Sequence, residues 1–191
     1  MYTPYKKFAE WFEEAKQSGE KEPTAMSLAT VDIDARPSVR IVLLKGFDER
    51  GFVFYTNETS SKGRDLFHNQ NASLCFFWPS LDRQVRIDGV VERTSDKEAD
   101  EYFATRPRIS QLAAWASKQS SHLDDEQELK RRLSKYESKF ASGNVPRPPF
   151  WGGYRVLPRS IEFWTRGEYR LHKRELFFKK DGAWEQSHLY P

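Results

Sequence analysis

The sequence predicts an α+β fold in which seven or eight antiparallel strands curl into a barrel, with helices set between and beside them. Three observations carry that expectation. Short stretches rich in β-branched and aromatic residues, such as 52–56 and 72–78, recur between turn signals. Arg166-Gly167 and Asp181-Gly182 are two-residue hairpin turns, which join strands antiparallel. Stretches with helical spacing of apolar residues interrupt the strands without a regular βαβ alternation. At 191 residues the chain suits one domain, 1–191, with a full core.

Phe8, Trp11, Phe12 and Ala15 recur at helical spacing within 5–18, and Gly19 stops that opening helix. Strands follow at 26–31 and 38–47, separated by Asp32, Asp34 and Pro37. Within the second, Arg40-Ile41-Val42-Leu43-Leu44-Lys45 places a cation at each end of four aliphatic residues, which reads as a strand buried on both faces. Alternation along a strand predicts that Arg40 and Lys45, five apart, point to opposite faces and so meet two different anions. A third strand at 52–56, joined through Asp48 to Gly51, completes an antiparallel meander.

Ser60 caps a short helix running to Phe67, whose free N–H groups and neighbouring Lys62 and Arg64 suit an anion. Cys75, in the strand 72–78, reads as a small buried hydrophobe. A long strand spans 83–93, with Gln84 and Arg86 on one face. Ser95 or Asp96 caps a helix to about Ala104, ended by Pro107; Tyr102 and Arg106 share its face if the last turn persists. Ser110 is expected to cap a short helix through Trp115. After the polar loop Ser117-Lys118-Gln119-Ser120-Ser121, a helix from Asp124 carries the stripe Leu129, Leu133, Tyr136, Phe140 and closes at Gly143. Trp151-Gly152-Gly153-Tyr154 is an irregular crossing back to sheet. Strands at 160–165, 169–178 and 183–189 end the chain, with Arg170, His172 and Arg174 in one row on the middle one.

The net charge of +3, with acids and bases interspersed, does not indicate a nucleic-acid surface. No apolar run approaches the roughly 18 residues of a membrane span, no signal or transit pattern opens the chain, and the lone cysteine implies a reducing, cytoplasmic home. Four histidines and one cysteine lack ligand spacing, so no metal centre is expected. No Walker or Rossmann loop and no nucleophile elbow occurs. What remains is a surplus of phosphate-type groups in aromatic settings: Arg40, Lys45, Lys62, Arg106, Arg170 and Arg174, with Tyr102, Ser110 and Ser120. They suit a flat phosphorylated cofactor beside a second phosphorylated ligand.

The order of these motifs resembles one family. The Arg40 to Lys45 run, Phe54-Tyr55-Thr56-Asn57, Arg83-Gln84-Val85, the stretch Tyr102-Phe103-Ala104-Thr105-Arg106-Pro107-Arg108, the Ser117 to Ser121 loop, Phe150-Trp151-Gly152-Gly153 and Arg170-Leu171-His172 follow one another as in the pyridoxamine 5′-phosphate oxidases. The resemblance covers nearly the whole chain. It implies a homodimeric FMN-binding split β-barrel, with the flavin in the cleft between subunits. It also implies oxidation of pyridoxamine or pyridoxine 5′-phosphate by O₂ to pyridoxal 5′-phosphate, releasing H₂O₂, in the last step of vitamin B6 cofactor synthesis.

Carried onto this chain, the resemblance assigns Arg40, Lys62, Gln119 and Ser120 to the FMN phosphate and ribityl chain. The backbone of Arg40, Ile41, Val42, Leu43, Leu44 and Lys45, with Tyr55, Thr56, Gln84, Trp164 and Arg174, surrounds the rest of the flavin. Lys45, Tyr102, Arg106 and Ser110 receive the substrate phosphate, and Arg170, Leu171 and His172 cover the pyridine ring, with Arg170 and His172 as the catalytic pair. Ser61, also in the cofactor set, stands where the family usually has a basic residue, with Arg64 as a replacement cation. Many relatives close an N-terminal arm over the substrate, whereas the first helix here opens almost at Met1. Two other readings keep the fold: a split-barrel reductase with another substrate, and a flavin-binding protein without turnover.

Overall fold

A computed structural model describes residues 3–191. Five α-helices, α1 (Pro4–Gln17), α2 (Ser61–His68), α3 (Asp96–Thr105), α4 (Arg108–Ala116) and α5 (Glu126–Lys139), surround one antiparallel sheet. Its strands are β1 (Ala25–Val31), β2 (Pro37–Leu43), β3 (Gly46–Asp48), β4 (Gly51–Asn57), β5 (Asn71–Trp78), β6 (Arg83–Arg93), β7 (Trp151–Thr165), β8 (Lys173–Lys180) and β9 (Ala183–His188). They order β2-β1-β5-β6-β7-β4-β3, with β8 on the far half of β7 and β9 on β8. The α+β barrel expected from the sequence is therefore present, and it is open between β2 and β4.

Helix α1 fills the barrel. Thr3 caps it and Pro4 supplies the fixed φ suited to its first turn. Its buried Phe8 stacks edge-on against Phe47, Phe52 and Phe76, while Phe12 lies beside Trp78. Burying such rings stabilises the fold by roughly 1.5–3 kcal/mol each. Gly19 adopts a left-handed φ of 85° just beyond the helix, as its stop signal requires.

Several expected boundaries shift. The strand predicted over 38–47 ends at Leu43, and β2 is an exposed edge, with Val39 and Ile41 more than 60% accessible. It is not buried on both faces. Leu44 N–H still bonds Thr24 of the β1 side, but Lys45 N–H bonds Val53 O in β4, so the chain passes from one lip of the open barrel to the other. The expected three-strand meander is for that reason absent: β4 pairs with β3 and β7, and no ladder joins it to β2.

The Trp151 to Tyr154 crossing is not irregular. It is the first part of the 15-residue β7, which also contains the strand predicted at 160–165. A side chain on Gly152 would run into Glu58 and one on Gly153 into Tyr55 and Thr94, which explains a loop-like composition inside a strand. A register shift at Asp88/Gly89, beside Pro158, bends the β6–β7 pair midway.

The strand predicted over 169–178 begins only at Lys173. Residues Glu168–Arg170 form a 3₁₀ turn in which Tyr169 and Arg170 take φ of 53° and 66°. Arg170 and His172 thus sit on a loop, and the strand alternation that put them in one row with Arg174 does not apply. Ser110 lies inside α4, whose cap position is Pro107, and Leu129 is exposed although Leu133, Tyr136 and Phe140 pack as predicted. Among the described residues, no helix is long and apolar enough to cross a membrane.

Candidate active site

The opening between β2 and β4 forms a cleft of about 850 Å³. Below, the two lips meet at the Lys45–Val53 hydrogen bond of 2.8 Å. Above, Arg40 to Leu43 line one lip and Tyr55 to Asn57 the other, with α3 and α4 closing the side. The cleft follows the unpaired edge of β2, so residues of both parities reach it. Arg40 and Lys45 therefore line one cleft, which overturns the expectation of opposite faces.

One pole gathers Arg40, Lys62, Thr56 and Gln119. Ser60 caps α2, donating its hydroxyl to Asn57 O at 2.7 Å and accepting from Gly63 N–H, which fixes the first turn that carries Lys62. The buried Lys62 ammonium has neutral hydrogen-bond partners, the Oγ1 of Thr56, the Oγ of Ser60 and the Oε1 of Gln119, each at 3.4 Å, with the charges of Arg40 and Asp65 nearby. Burial, and then the charge of Arg40, hold its pKa below the ordinary lysine value. Arg40 bonds Thr30 Oγ1 at 2.6 Å and reaches Asp65 at 3.5 Å; burial lowers its pKa, which Asp65 partly offsets.

The other pole holds Lys45, Tyr102, Arg106 and Ser110. Pro107 forces the preceding residue out of helical conformation, so Arg106 leaves α3 in an extended state, with ψ of 146°. The last turn of α3 does not persist through it, yet Arg106 and Tyr102 still face the cleft together. The guanidinium lies 4.9 Å over Trp151 and 5.5 Å over Phe103, and burial lowers its pKa. Its buried Nη1 has no hydrogen-bond partner among the described residues.

The remaining predicted residues do not join this cleft. Leu44 points into the core and is 4% accessible. Ser61 and Arg64 line a neighbouring hollow, where Arg64 Nη2 donates to Ser61 Oγ at 3.3 Å, and exposed Ser120 takes a left-handed φ of 68°. Gln84, Trp164 and Arg174 are direct cross-strand partners, so they form one row, on the side of the sheet opposite the buried neighbours Val85 and Phe163. Arg174 is already paired with Glu162 at 2.7 Å. His172 packs on Trp164 at 4.7 Å and accepts from Gly167 N–H, while Arg170 and Leu171 are exposed. Sequence reasoning missed Asn57, Thr105, Ser117 and Trp151 as cleft residues; all four stood inside quoted motifs, but nothing in their spacing marked them as cleft lining.

Comparison with known proteins decides the family. Residues 12–140 match the pyridoxamine 5′-phosphate oxidase family model, and residues 151–191 match a pyridoxine 5′-phosphate oxidase C-terminal dimerisation region. A pyridoxine/pyridoxamine 5′-phosphate oxidase of Rubrobacter xylanophilus is 54% identical over 98% of this chain and 87% of its own. The chain belongs to the pyridoxamine 5′-phosphate oxidase family. A Brucella canis member is 51% identical over 98% of this chain and 94% of its own. Among solved structures, PhzG of Burkholderia lata, in complex with tetrahydrophenazine-1-carboxylic acid, superposes with a TM-score of 0.94 at 31% identity, covering 98% and 92% of the two chains. An FMN-binding, oxidase-related protein of Nostoc punctiforme shares the split-barrel fold, with a TM-score of 0.78 at 17% identity over the full length of both.

FMN is the cofactor of this oxidase, which is a homodimer, and β7 to β9 fall within the matched dimerisation region. The residues present fit a phosphorylated flavin. Lys62 is a buried ammonium without a carboxylate at hydrogen-bonding distance, next to a second cation, and the cleft is lined along its length by β2 and by Tyr55. A dianion there would complete the coordination of both cations.

Proposed function

We propose that this oxidase converts pyridoxamine 5′-phosphate and pyridoxine 5′-phosphate to pyridoxal 5′-phosphate with O₂ as acceptor, releasing H₂O₂, and ammonia from the amine, as the last step in making the B6 cofactor. The observation that supports this reading is the pairing of two cationic poles in one cleft, Arg40 with Lys62 and Lys45 with Arg106, one for each phosphate of two ligands. Bound FMN supplies the two-electron chemistry. The protein's task is then to hold, orient and dehydrate.

In this reading Arg40, Lys62, Gln119 and Ser120 hold the FMN phosphate and ribityl chain, with Ser61 at the margin and Arg64 as its nearest cation. Lys45, Tyr102, Arg106 and Ser110 clamp the substrate phosphate, and Tyr55, Thr56 and the β2 backbone lie along the flavin. Gln84, Trp164, Arg174, Arg170, Leu171 and His172 act from the second subunit. Two features support that division. The outward row of Gln84, Trp164 and Arg174 has no route to the cleft of its own chain, and the same outer face exposes Val39, Ile41 and Phe77. FMN would accordingly lie at the subunit interface. Arg170 orients the substrate and assists proton movement, with His172 held against Trp164.

A single sheet running through both matched segments supports treating 1–191 as one domain, and the lone Cys75 supports a reducing, cytoplasmic compartment. The test is direct. The purified protein should carry a yellow flavin spectrum and, with pyridoxamine 5′-phosphate under air, form pyridoxal 5′-phosphate and peroxide together. A yellow protein that forms neither would overturn the reading.

A further inference from the structure

Trp151, in the Phe150 to Gly153 motif, lines the cleft. Tyr55, Tyr102 and Trp151 stack as parallel rings, with centroids 4.2 Å apart for the two tyrosines and 5.4 Å for Tyr55 and Trp151, and interplanar angles of 10° or less. Offset-parallel rings at such distances attract one another beyond simple burial. Gly153 makes the stack possible: a Cβ there would come within 2.6 Å of the Tyr55 ring and 2.5 Å of Thr94 Oγ1. Trp151 in turn carries the Arg106 guanidinium over its face.

That contact matters because of what Arg106 lacks. Arg155 and Arg147, whose side chains are 4% and 11% exposed, are each held by carboxylates at 3.0 Å or less. Arg106 makes no ion pair among the described residues, and its Nη1 is buried without a partner. An indole face stabilises a desolvated guanidinium while leaving its N–H donors free, which a carboxylate would not.

We propose that Trp151 is a positioning residue for the substrate-phosphate site: it holds Arg106 by its π face and Tyr102 through the stack, so that both present their donors to the phosphate. This rests on the assignment of Arg106 and Tyr102 above. The Trp151–Gly153 segment thereby sets the affinity for phosphorylated over unphosphorylated ligands.

The test compares Trp151→Phe, Trp151→Leu and Gly153→Ala in the FMN-loaded dimer, by direct binding of pyridoxal 5′-phosphate and by steady-state kinetics with pyridoxamine 5′-phosphate. Trp151→Leu should weaken pyridoxal 5′-phosphate binding and raise KM about tenfold, a difference of ~1.4 kcal/mol, with kcat and FMN affinity near those of the parent. Trp151→Phe should recover most of that loss, because an aromatic face remains. Gly153→Ala should weaken pyridoxal 5′-phosphate binding likewise and, because it displaces Tyr55, lower FMN affinity as well. Equal losses in the Trp151→Phe and Trp151→Leu variants, or a parallel fall in their FMN affinity, would reduce Trp151 to a packing role and overturn the proposal. Unchanged binding in all three would also overturn it. A parent protein that binds no pyridoxal 5′-phosphate would instead sink the functional reading itself.

Discussion

Arg40 and Lys45 stand five residues apart on the same lip, yet their neighbours differ. Arg40 shares its pole with buried Lys62, whereas exposed Lys45 shares the other with Tyr102 and Arg106. Replacing Arg40 by Ala should chiefly weaken FMN binding, and replacing Lys45 by Ala should chiefly raise the substrate KM. Each is expected to shift by about 10- to 100-fold, the worth of one charge-assisted hydrogen bond of ~1.5–3 kcal/mol. Flavin titration and initial rates separate the two. Lys62 adds a pH signature. Its pKa in the apoprotein lies below the ordinary value, so the unfolded chain binds more protons at alkaline pH, and the apoprotein gains stability as pH rises through the interval between the two values. FMN phosphate needs the charged amine, so FMN affinity falls over the same interval. Lys62→Met should flatten both slopes, as read by urea melts and flavin titration.

At the scale of elements, α2 is the piece on which cofactor retention turns. Its entry is packed so tightly that a Cβ on Gly63 would lie 2.0 Å from Glu58 O. Gly63→Ala must displace the first turn and carry Lys62 with it. The expected result is a lower Tm together with FMN affinity reduced at least tenfold, a coupling that calorimetry and flavin titration can check. Helix α2 was legible in the sequence because the Ser60 cap is a local signal. The loop at 168–172 was not. Its residues look like the start of β8, and only the left-handed backbone at Tyr169 and Arg170, which no side chain there advertises, withdraws them from the strand. The same lack of local signal hid β7, whose double glycine reads as a turn until the crowding by Tyr55 and Glu58 is seen.

For the whole molecule, most of the proposed site residues fall either in the cleft or on the outer face of the sheet and its 168–172 loop, with Leu44 in the core and Ser61 and Ser120 beside the cleft. Order along the chain named both groups, because motif resemblance is indifferent to which surface a residue lies on. Periodicity could not show that they fall on separate surfaces, since that depends on the β6–β7–β8 register. If the outer face is the dimer contact, Phe77→Asp, a charge placed at a 57% exposed ring beside Gln84, should shift the protein toward monomer and release FMN in the same concentration range. Sedimentation velocity with absorbance at the flavin band reads both at once. A monomer that kept its flavin would contradict the shared site.

The exposed edge of β2 has a consequence for the life of the protein in a cell. A subunit newly released from the ribosome presents an unpaired strand bearing Val39 and Ile41, the type of edge that recruits other chains into aggregates. If the second subunit and flavin cover this edge in the assembled enzyme, flavin supply acts as a folding aid as well as a catalytic one. In a flavin-starved host the expected outcome is loss of the polypeptide itself, through aggregation and proteolysis, rather than accumulation of a soluble, inactive pool.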